Sequence, residues 1–294
     1  MKLAYYPGCV LPTSGKEYDM STREVFSFLG IELQELEDWS CCGATAIYNL
    51  DNLLALALPA RNLAISEKSG LDMTTPCPTC SYWLWKTQEE MIDNSPNKEK
   101  INKALKGTDL EYNGKIGAKH ILEVISDDIG VDKINSKVIK PLRGLKVIPY
   151  YGCYIVRPPR KNPFDSPENP TSMDRLIDAV GATPISWDMK TKCCGGSVVV
   201  SKEEVALKLT YDLLKKAKML GADCIITPCQ QCNLVLDAKQ VDVEKVYNDK
   251  IDIPILYFTQ LLGLAFNISP KKLGLDKNIV TVNRLLNSLG LSSN

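Results

Sequence analysis

Apolar positions along the chain follow two alternating patterns. Short runs rich in branched and aromatic residues, KLAYY (2–6), IELQEL (31–36) and LDMTT (71–75), predict strands. Each has a match later in the chain: LKVIPYY (145–151), ATPISW (182–187) and CIIT (224–227). Longer stretches have helical spacing. Residues 44–69 carry Leu50, Leu53, Leu54, Leu56, Leu58, Leu63 and Ile65, and residues 198–220 carry Val205, Leu207, Leu209, Leu213 and Leu214. Strands alternating with helices predict parallel α/β units. The expected fold is α/β, with two tandem pseudo-symmetric halves, each a small, mostly parallel sheet flanked by helices.

The cysteines sharpen that division. Ten of the eleven form two sets of five: Cys9, Cys41, Cys42, Cys77, Cys80, and Cys153, Cys193, Cys194, Cys229, Cys232. Thirty-four residues separate the adjacent pair from the Cys-x-x-Cys in both sets. The flanks match as well: AYYPGC (4–9) with PYYGC (149–153), DWSCCGATA (38–46) with KTKCCGGSV (190–198), TTPCPTCSYWL (74–84) with ITPCQQCNLVL (226–236), and IGAKHILEVI (116–125) with IPILYFTQLL (253–262). Chance does not reproduce five spaced cysteines in the same order, so the chain carries an internal duplication. The halves divide as 1–143 and 144–294. Cys224 fits neither set and reads as a buried apolar residue.

On this pattern each cysteine group lies where a strand ends and a helix begins, the usual ligand position in open parallel sheets. Gly43, Gly195 and Gly196 would allow tight turns there. N–H groups at the helix starts would face the sulfurs and favour thiolate over thiol. Pro76 and Pro228 would end the preceding strands.

Composition narrows the function classes. Lys+Arg and Asp+Glu are 35 each, so the formal net charge is zero and nothing suggests a nucleic-acid partner. The start, MKLAYYPGC, lacks the apolar run of a secretory signal. The most apolar helical stretch (50–65) is interrupted by Asp51, Pro59 and Arg61 and is too short to span a bilayer. The expectation is a cytoplasmic protein with no direct membrane span. In a reducing compartment, clustered cysteines point to metal or redox chemistry rather than to a disulfide framework. Structural zinc is the runner-up cofactor: Cys9, Cys77, Cys80 and one of the adjacent pair would supply four ligands, leaving one cysteine idle. Five thiols also exceed the four of an ordinary iron–sulfur cubane. The excess suits a distorted cluster, because adjacent cysteines can reach two irons of one polynuclear site but bind a single ion poorly.

The cysteine pattern resembles the cysteine-rich CCG domain. Two such domains in one short chain resemble the B subunit of heterodisulfide reductase, or its counterpart in a heterodisulfide-reductase-like complex of sulfur metabolism. The resemblance covers nearly the whole chain and rests on ten matching cysteines. It implies a non-cubane 4Fe–4S cluster in each half, one on Cys9, Cys41, Cys42, Cys77 and Cys80, the other on Cys153, Cys193, Cys194, Cys229 and Cys232. It also implies homolytic cleavage of a disulfide, each cluster passing one electron and capturing one sulfur. The chain has no bacterial ferredoxin run and no Gly-x-Gly-x-x-Gly fingerprint. Electrons must therefore come from partners in the same complex. The resemblance implies two of them, a small ferredoxin-like iron–sulfur protein (the C subunit) and a flavin-containing one (the A subunit).

One departure matters. In heterodisulfide reductases a histidine often follows the first cysteine of the second half. Here that position is Tyr154, and the single histidine, His120, reads as a packing residue at a strand end. Tyr154 becomes the candidate proton donor. The departure shifts weight from the coenzyme M–coenzyme B heterodisulfide of methanogenesis towards another sulfur compound. The loop 154–170 contains five prolines, which forbid regular structure, and carries Arg157, Arg160 and Lys161. Arg157 is the second catalytic candidate, these cations being suited to an anionic substrate or a partner surface, against the plainer reading of a solvated loop. Trp39 and Trp187, ahead of the adjacent pairs, read as core packing. The competing function is an electron-transfer iron–sulfur subunit of a dehydrogenase complex, without disulfide chemistry of its own. A zinc scaffold is a third possibility.

Overall fold

The computed structural model describes residues 1–92 and 96–291. It contains two four-stranded sheets, all of whose pairings are parallel. The first has the order β2-β1-β3-β4, from strands β1 (Lys2–Tyr5), β2 (Glu32–Glu35), β3 (Met73–Thr75) and β4 (Ala118–His120). The second, β6-β5-β7-β8, repeats it with β5 (Lys146–Pro149), β6 (Thr183–Pro184), β7 (Cys224–Thr227) and β8 (Ile255–Tyr257). The expected pair of similar α/β halves is present. β6 keeps only two residues of the predicted run. It is an edge strand containing Pro184, which has no N–H to add to the ladder.

In both sheets the chain runs outward on one side of the first strand and then returns to its other side. That reversal opens a crevice at the carboxyl ends of β1 and β3, and of β5 and β7. Cys9 and Cys77 follow β1 and β3 by four and two residues, as Cys153 and Cys229 follow β5 and β7.

The helical stretches differ from expectation at their starts. The first breaks into Ala44–Tyr48 and Asn52–Ser69, because Asp51 is extended and caps the second piece, accepting a hydrogen bond from Leu54 N at 2.8 Å. Pro59 is accommodated inside the longer helix. The second stretch begins at Glu203, after turns over residues 196–201.

Each half has a hydrophobic cluster of its own, and a third, larger one is shared between them. Helix Lys16–Phe28 buries Tyr18, Ser21, Thr22, Val25 and Phe26 along one face and lies against helix Phe258–Ala265 of the other half. Tyr18 stacks on Tyr257 with ring centroids 4.0 Å apart, Phe28 stacks on Phe266, and Ser21 Oγ shares a hydrogen bond with Thr259 Oγ1 at 2.7 Å. The reciprocal contact repeats this arrangement: helix Ser172–Ala179 packs on the helical segment 121–136, with Asn135 Nδ2 donating to Ala179 O. The helix after the first strand of each half thus rests on the helix after the last strand of the other.

Both carbonyls that precede the Cys-x-x-Cys turns are held. Tyr18 donates to Pro228 O at 3.0 Å. His120, fully buried at the end of β4, contacts Pro76 O through Nε2 at 2.8 Å, while its Nδ1 accepts from Leu122 N and caps the following helix. With Nδ1 accepting, Nε2 carries the proton and donates. His120 is therefore structural, and Cys224 is buried in β7.

Burial holds the His120 pKa down at about 3, below the value of about 6.5 of an unfolded chain. The neutral ring stabilises the fold above pH 6.5, and that contribution is lost as pH falls towards 3. His120→Asn keeps a capping oxygen but removes the titrating ring. At pH 7.5 the variant should be less stable by about 1–3 kcal/mol. Below about pH 6 the gap to the parent should narrow, by up to about 1.4 kcal/mol per pH unit. Urea unfolding of the metal-free protein at several pH values measures both.

Candidate functional site

All ten paired cysteines line one cavity of about 320 Å³ between the carboxyl ends of the two sheets. Cys42, Cys77, Cys80, Cys194, Cys229 and Cys232 are buried, Cys153 and Cys193 are half-buried, and Cys9 and Cys41 are exposed. All eleven cysteines are free thiols. Within each half the second cysteine of the adjacent pair touches the last cysteine of the Cys-x-x-Cys: Cys42 with Cys80 at 3.3 Å, and Cys194 with Cys232 at 3.4 Å. Among the described residues no three His, Cys, Asp or Glu side chains converge closely enough to hold one metal ion.

Local backbone geometry sets these positions. Gly8 and Gly152 precede the first cysteine of each set with φ of +70°. A Cβ on Gly8 would lie 3.2 Å from Cys80 Sγ, and one on Gly152 would lie 2.9 Å from Cys232 Sγ, so only glycine lets the turn approach the sulfur. Tyr6 and Tyr150 tether the adjacent pairs: their buried hydroxyls donate to the carbonyl just before each pair, Ser40 O at 2.9 Å and Lys192 O at 2.7 Å. Each ring is met edge-on by a tryptophan, Trp39 and Trp187, which pack as expected.

Backbone N–H groups turn towards sulfur. Gly195 N donates to Cys193 Sγ and Gly196 N to Cys194 Sγ, both at 3.3 Å, and Cys80 N donates to Cys77 Sγ at 3.4 Å. Mutual hydrogen bonding then splits the thiol acidities. Cys42 is drawn down to about 4, first by donation from Cys41 and then by donation from Cys80. Cys41 and Cys80 are pushed up, first by their bonds to Cys42. In the second half Cys193 is drawn down to about 2 by Cys153 and then Cys194, while Cys153 rises and Cys194 rises to about 12. The acidic member is not the same repeat position in the two halves. Cys229 is drawn down as well, first by its bond to Cys232, so each set contains at least one thiol that readily becomes a thiolate.

Of the other candidates, Tyr154 lines the cavity, its ring edge-on to Tyr82 of the first half at 5.9 Å. Burial, then the neighbouring Cys153, raises its pKa, so the phenol keeps its proton at neutral pH. Arg157 is exposed and lies outside the cavity lining, as does exposed Lys161. Arg160 is the buried cation of the loop, its side chain 5% exposed, seated over the Trp85 ring with Cζ 5.0 Å from the centroid and with Nη1 3.8 Å from Glu123 Oε2. Three features are not singled out by sequence reasoning: the Tyr6 and Tyr150 tethers, the Gly8 and Gly152 approach, and Gln230, which also lines the cavity. The repeated YY and GC of AYYPGC and PYYGC are the signal for the first two.

The sequence matches the family described as "Cysteine-rich domain", CCG, over residues 3–85 and again over 147–237. The chain belongs to the CCG cysteine-rich domain family. It carries two copies, and the cysteines of each lie inside the matched segments. It is 36% identical over 284 residues to a Wolinella succinogenes protein named 8-methylmenaquinol:fumarate reductase membrane anchor subunit, covering 97% of this chain and 99% of that one. It is 31% identical over 282 residues to the B subunit of the ferredoxin:CoB-CoM heterodisulfide reductase of Methanosarcina mazei, covering 95% and 94%. It is 29% identical to an Archaeoglobus profundus protein named as like the B subunit of heterodisulfide reductase, covering 92% and 93%. Among solved structures, a hypothetical protein from Helicobacter pylori has the same fold, with a TM-score of 0.76 at 16% identity, over 96% of this chain and 52% of that one. No helix among the described residues is long and apolar enough to cross a membrane.

Gly152→Ala should lower the iron and sulfide bound on anaerobic reconstitution while leaving the far-ultraviolet circular dichroism unchanged. Gly30 has φ of +74° with nothing near its Cβ position, so Gly30→Ala should cost only about 1 kcal/mol of stability and bind the parental amount. Equal loss in both would assign the effect to backbone strain rather than to crowding of Cys232.

Proposed function

We propose that this CCG-family chain is the iron–sulfur subunit of a heterodisulfide-reductase-type oxidoreductase complex, and that its two cysteine sets act together on one sulfur–sulfur bond, cleaving or forming it. The observation that carries this reading is the single cavity walled by both sets.

The residues suit iron–sulfur groups. The donors are thiols, most of them buried, with backbone N–H groups on the sulfurs to stabilise the negative charge of a ligated cluster. Cys9, Cys41, Cys42, Cys77 and Cys80 would hold one non-cubane 4Fe–4S group, and Cys153, Cys193, Cys194, Cys229 and Cys232 the other. When bound, such a group supplies one electron and an iron able to take a sulfur ligand, so two match the two electrons that a disulfide accepts. The chain's own part is to bury the bond from water, to hold both sets on one cavity, and to keep a protonated phenol, Tyr154, at its wall as the donor to a departing sulfur. Arg157, exposed on the loop beyond, suits attraction of an anionic substrate or a partner rather than the chemistry itself. Electrons would arrive through a ferredoxin-like iron–sulfur partner and a flavin-containing partner of the same complex, since this chain has no motif for a ferredoxin cluster or a dinucleotide.

A second reading is favoured by the relative named for a fumarate reductase: an electron-transfer protein with no sulfur–sulfur chemistry of its own.

Anaerobically purified protein should contain about eight irons and as many acid-labile sulfides per chain. An electron paramagnetic resonance signal should develop when oxidant and a thiol are added together. Zinc with little sulfide would reject the reading. Iron–sulfur whose signal ignores thiols and disulfides would favour the second one. Cys42→Ser and Cys194→Ser should each lose about half the iron and cut two-electron disulfide turnover by at least about 100-fold, as when one member of a cooperating set is removed. Full turnover with one set disabled would refute joint action.

A further inference from the structure

The two walls of the cavity differ at one position that reaches across it. Gln230, inside the Cys229–Cys232 turn, extends its amide nitrogen Nε2 to 2.8 Å from Cys77 Sγ in the opposite half. The residue is 6% exposed and lines the cavity. Its Oε1 is buried without a hydrogen-bond partner, so the contact with Cys77 is the one hydrogen bond that orients the amide among the described residues. A thiolate accepts hydrogen bonds and cannot donate them, so nitrogen is the end that must face sulfur.

The repeat offers no reciprocal contact. Aligning the two Cys-x-x-Cys turns places Pro78 opposite Gln230, and proline has no side-chain donor. The neighbouring Gln231 turns the other way, donating to Gly196 O at 3.2 Å within its own half. The N–H groups on Cys77, Cys193 and Cys194 from within their own sets are all backbone groups. The amide of Gln230 is instead a side-chain donor contributed by one half to a cysteine of the other.

A hydrogen bond to a ligating sulfur draws electron density from it and favours the more negative, reduced state of the attached group, which raises its reduction potential. We infer that Gln230 is a positioning residue that makes the two sites electrochemically unequal: by donating to Cys77 it raises the reduction potential of the group held by the first-half cysteines and leaves that of the second half where the donors of its own half set it. This rests on the iron–sulfur reading above and adds that the paired sites are tuned apart by one residue.

The test is a potentiometric titration of the intact protein, followed by electron paramagnetic resonance, for the parent, Gln230→Leu and Gln230→Glu. Gln230→Leu should move one midpoint to lower potential and leave the other in place. Gln230→Glu is nearly isosteric and serves if the leucine variant does not fold. At alkaline pH its carboxylate cannot donate and the same midpoint should drop. On acidification the protonated carboxyl can donate again, and that midpoint should climb back towards the parental value. Movement of both midpoints together, or of neither, overturns the inference while leaving the proposed function standing. A parent protein without iron and sulfide overturns both.

Discussion

The reciprocal seating of one half's helix on the other half's sheet-end helix is the contact on which the molecule depends. Tyr18 stacked on Tyr257, with its hydroxyl on Pro228 O, fixes how the first half meets the second directly before Cys229. The matching contact of helix Ser172–Ala179 with segment 121–136 fixes the other side. Two separate crevices at sheet ends would be two independent sites. Docked this way, they become opposite walls of a single cavity, and their thiols become neighbours although they lie as much as 223 residues apart, from Cys9 to Cys232. Loss of large aromatic contacts in such a shared core costs several kcal/mol each, on the order of 3–5 for truncation to alanine. Cavity integrity and fold stability are therefore hard to separate.

The sequence carries much of this because a duplication states the same constraint twice. Short runs of branched and aromatic residues before each cysteine group, the proline ahead of each Cys-x-x-Cys and the shared spacing all lead to strand-end thiols in two α/β halves. What it does not carry are relations between residues distant in sequence. Nothing near Gln230 reveals that its partner is Cys77, and nothing in the 154–170 loop distinguishes Arg160, seated over Trp85, from exposed Arg157. The break before Asn52 is also hidden, because helix propensity through residues 44–69 is high and a single capping aspartate overrides it.

The names attached to relatives diverge, one belonging to a fumarate reductase complex and others to heterodisulfide reductases, although the identity runs over nearly whole chains. The cavity wall also carries residues that are neither cysteine nor duplicated. Tyr154 is opposite Val10 in the repeat, and Gln230 is opposite Pro78.

That last pairing shows what joining the halves in one polypeptide makes possible. A homodimer of a single such domain would have to place the same residue on both walls, so any substitution that improved one face would be imposed on the other. Here each copy is encoded separately, and the covalent link keeps the partner at high effective concentration however dilute the protein. One wall is free to drift towards a phenol and an amide while the other keeps a valine and a proline. The chain can thus diverge within itself, refining two roles from one ancestral design without losing the symmetry that holds them together.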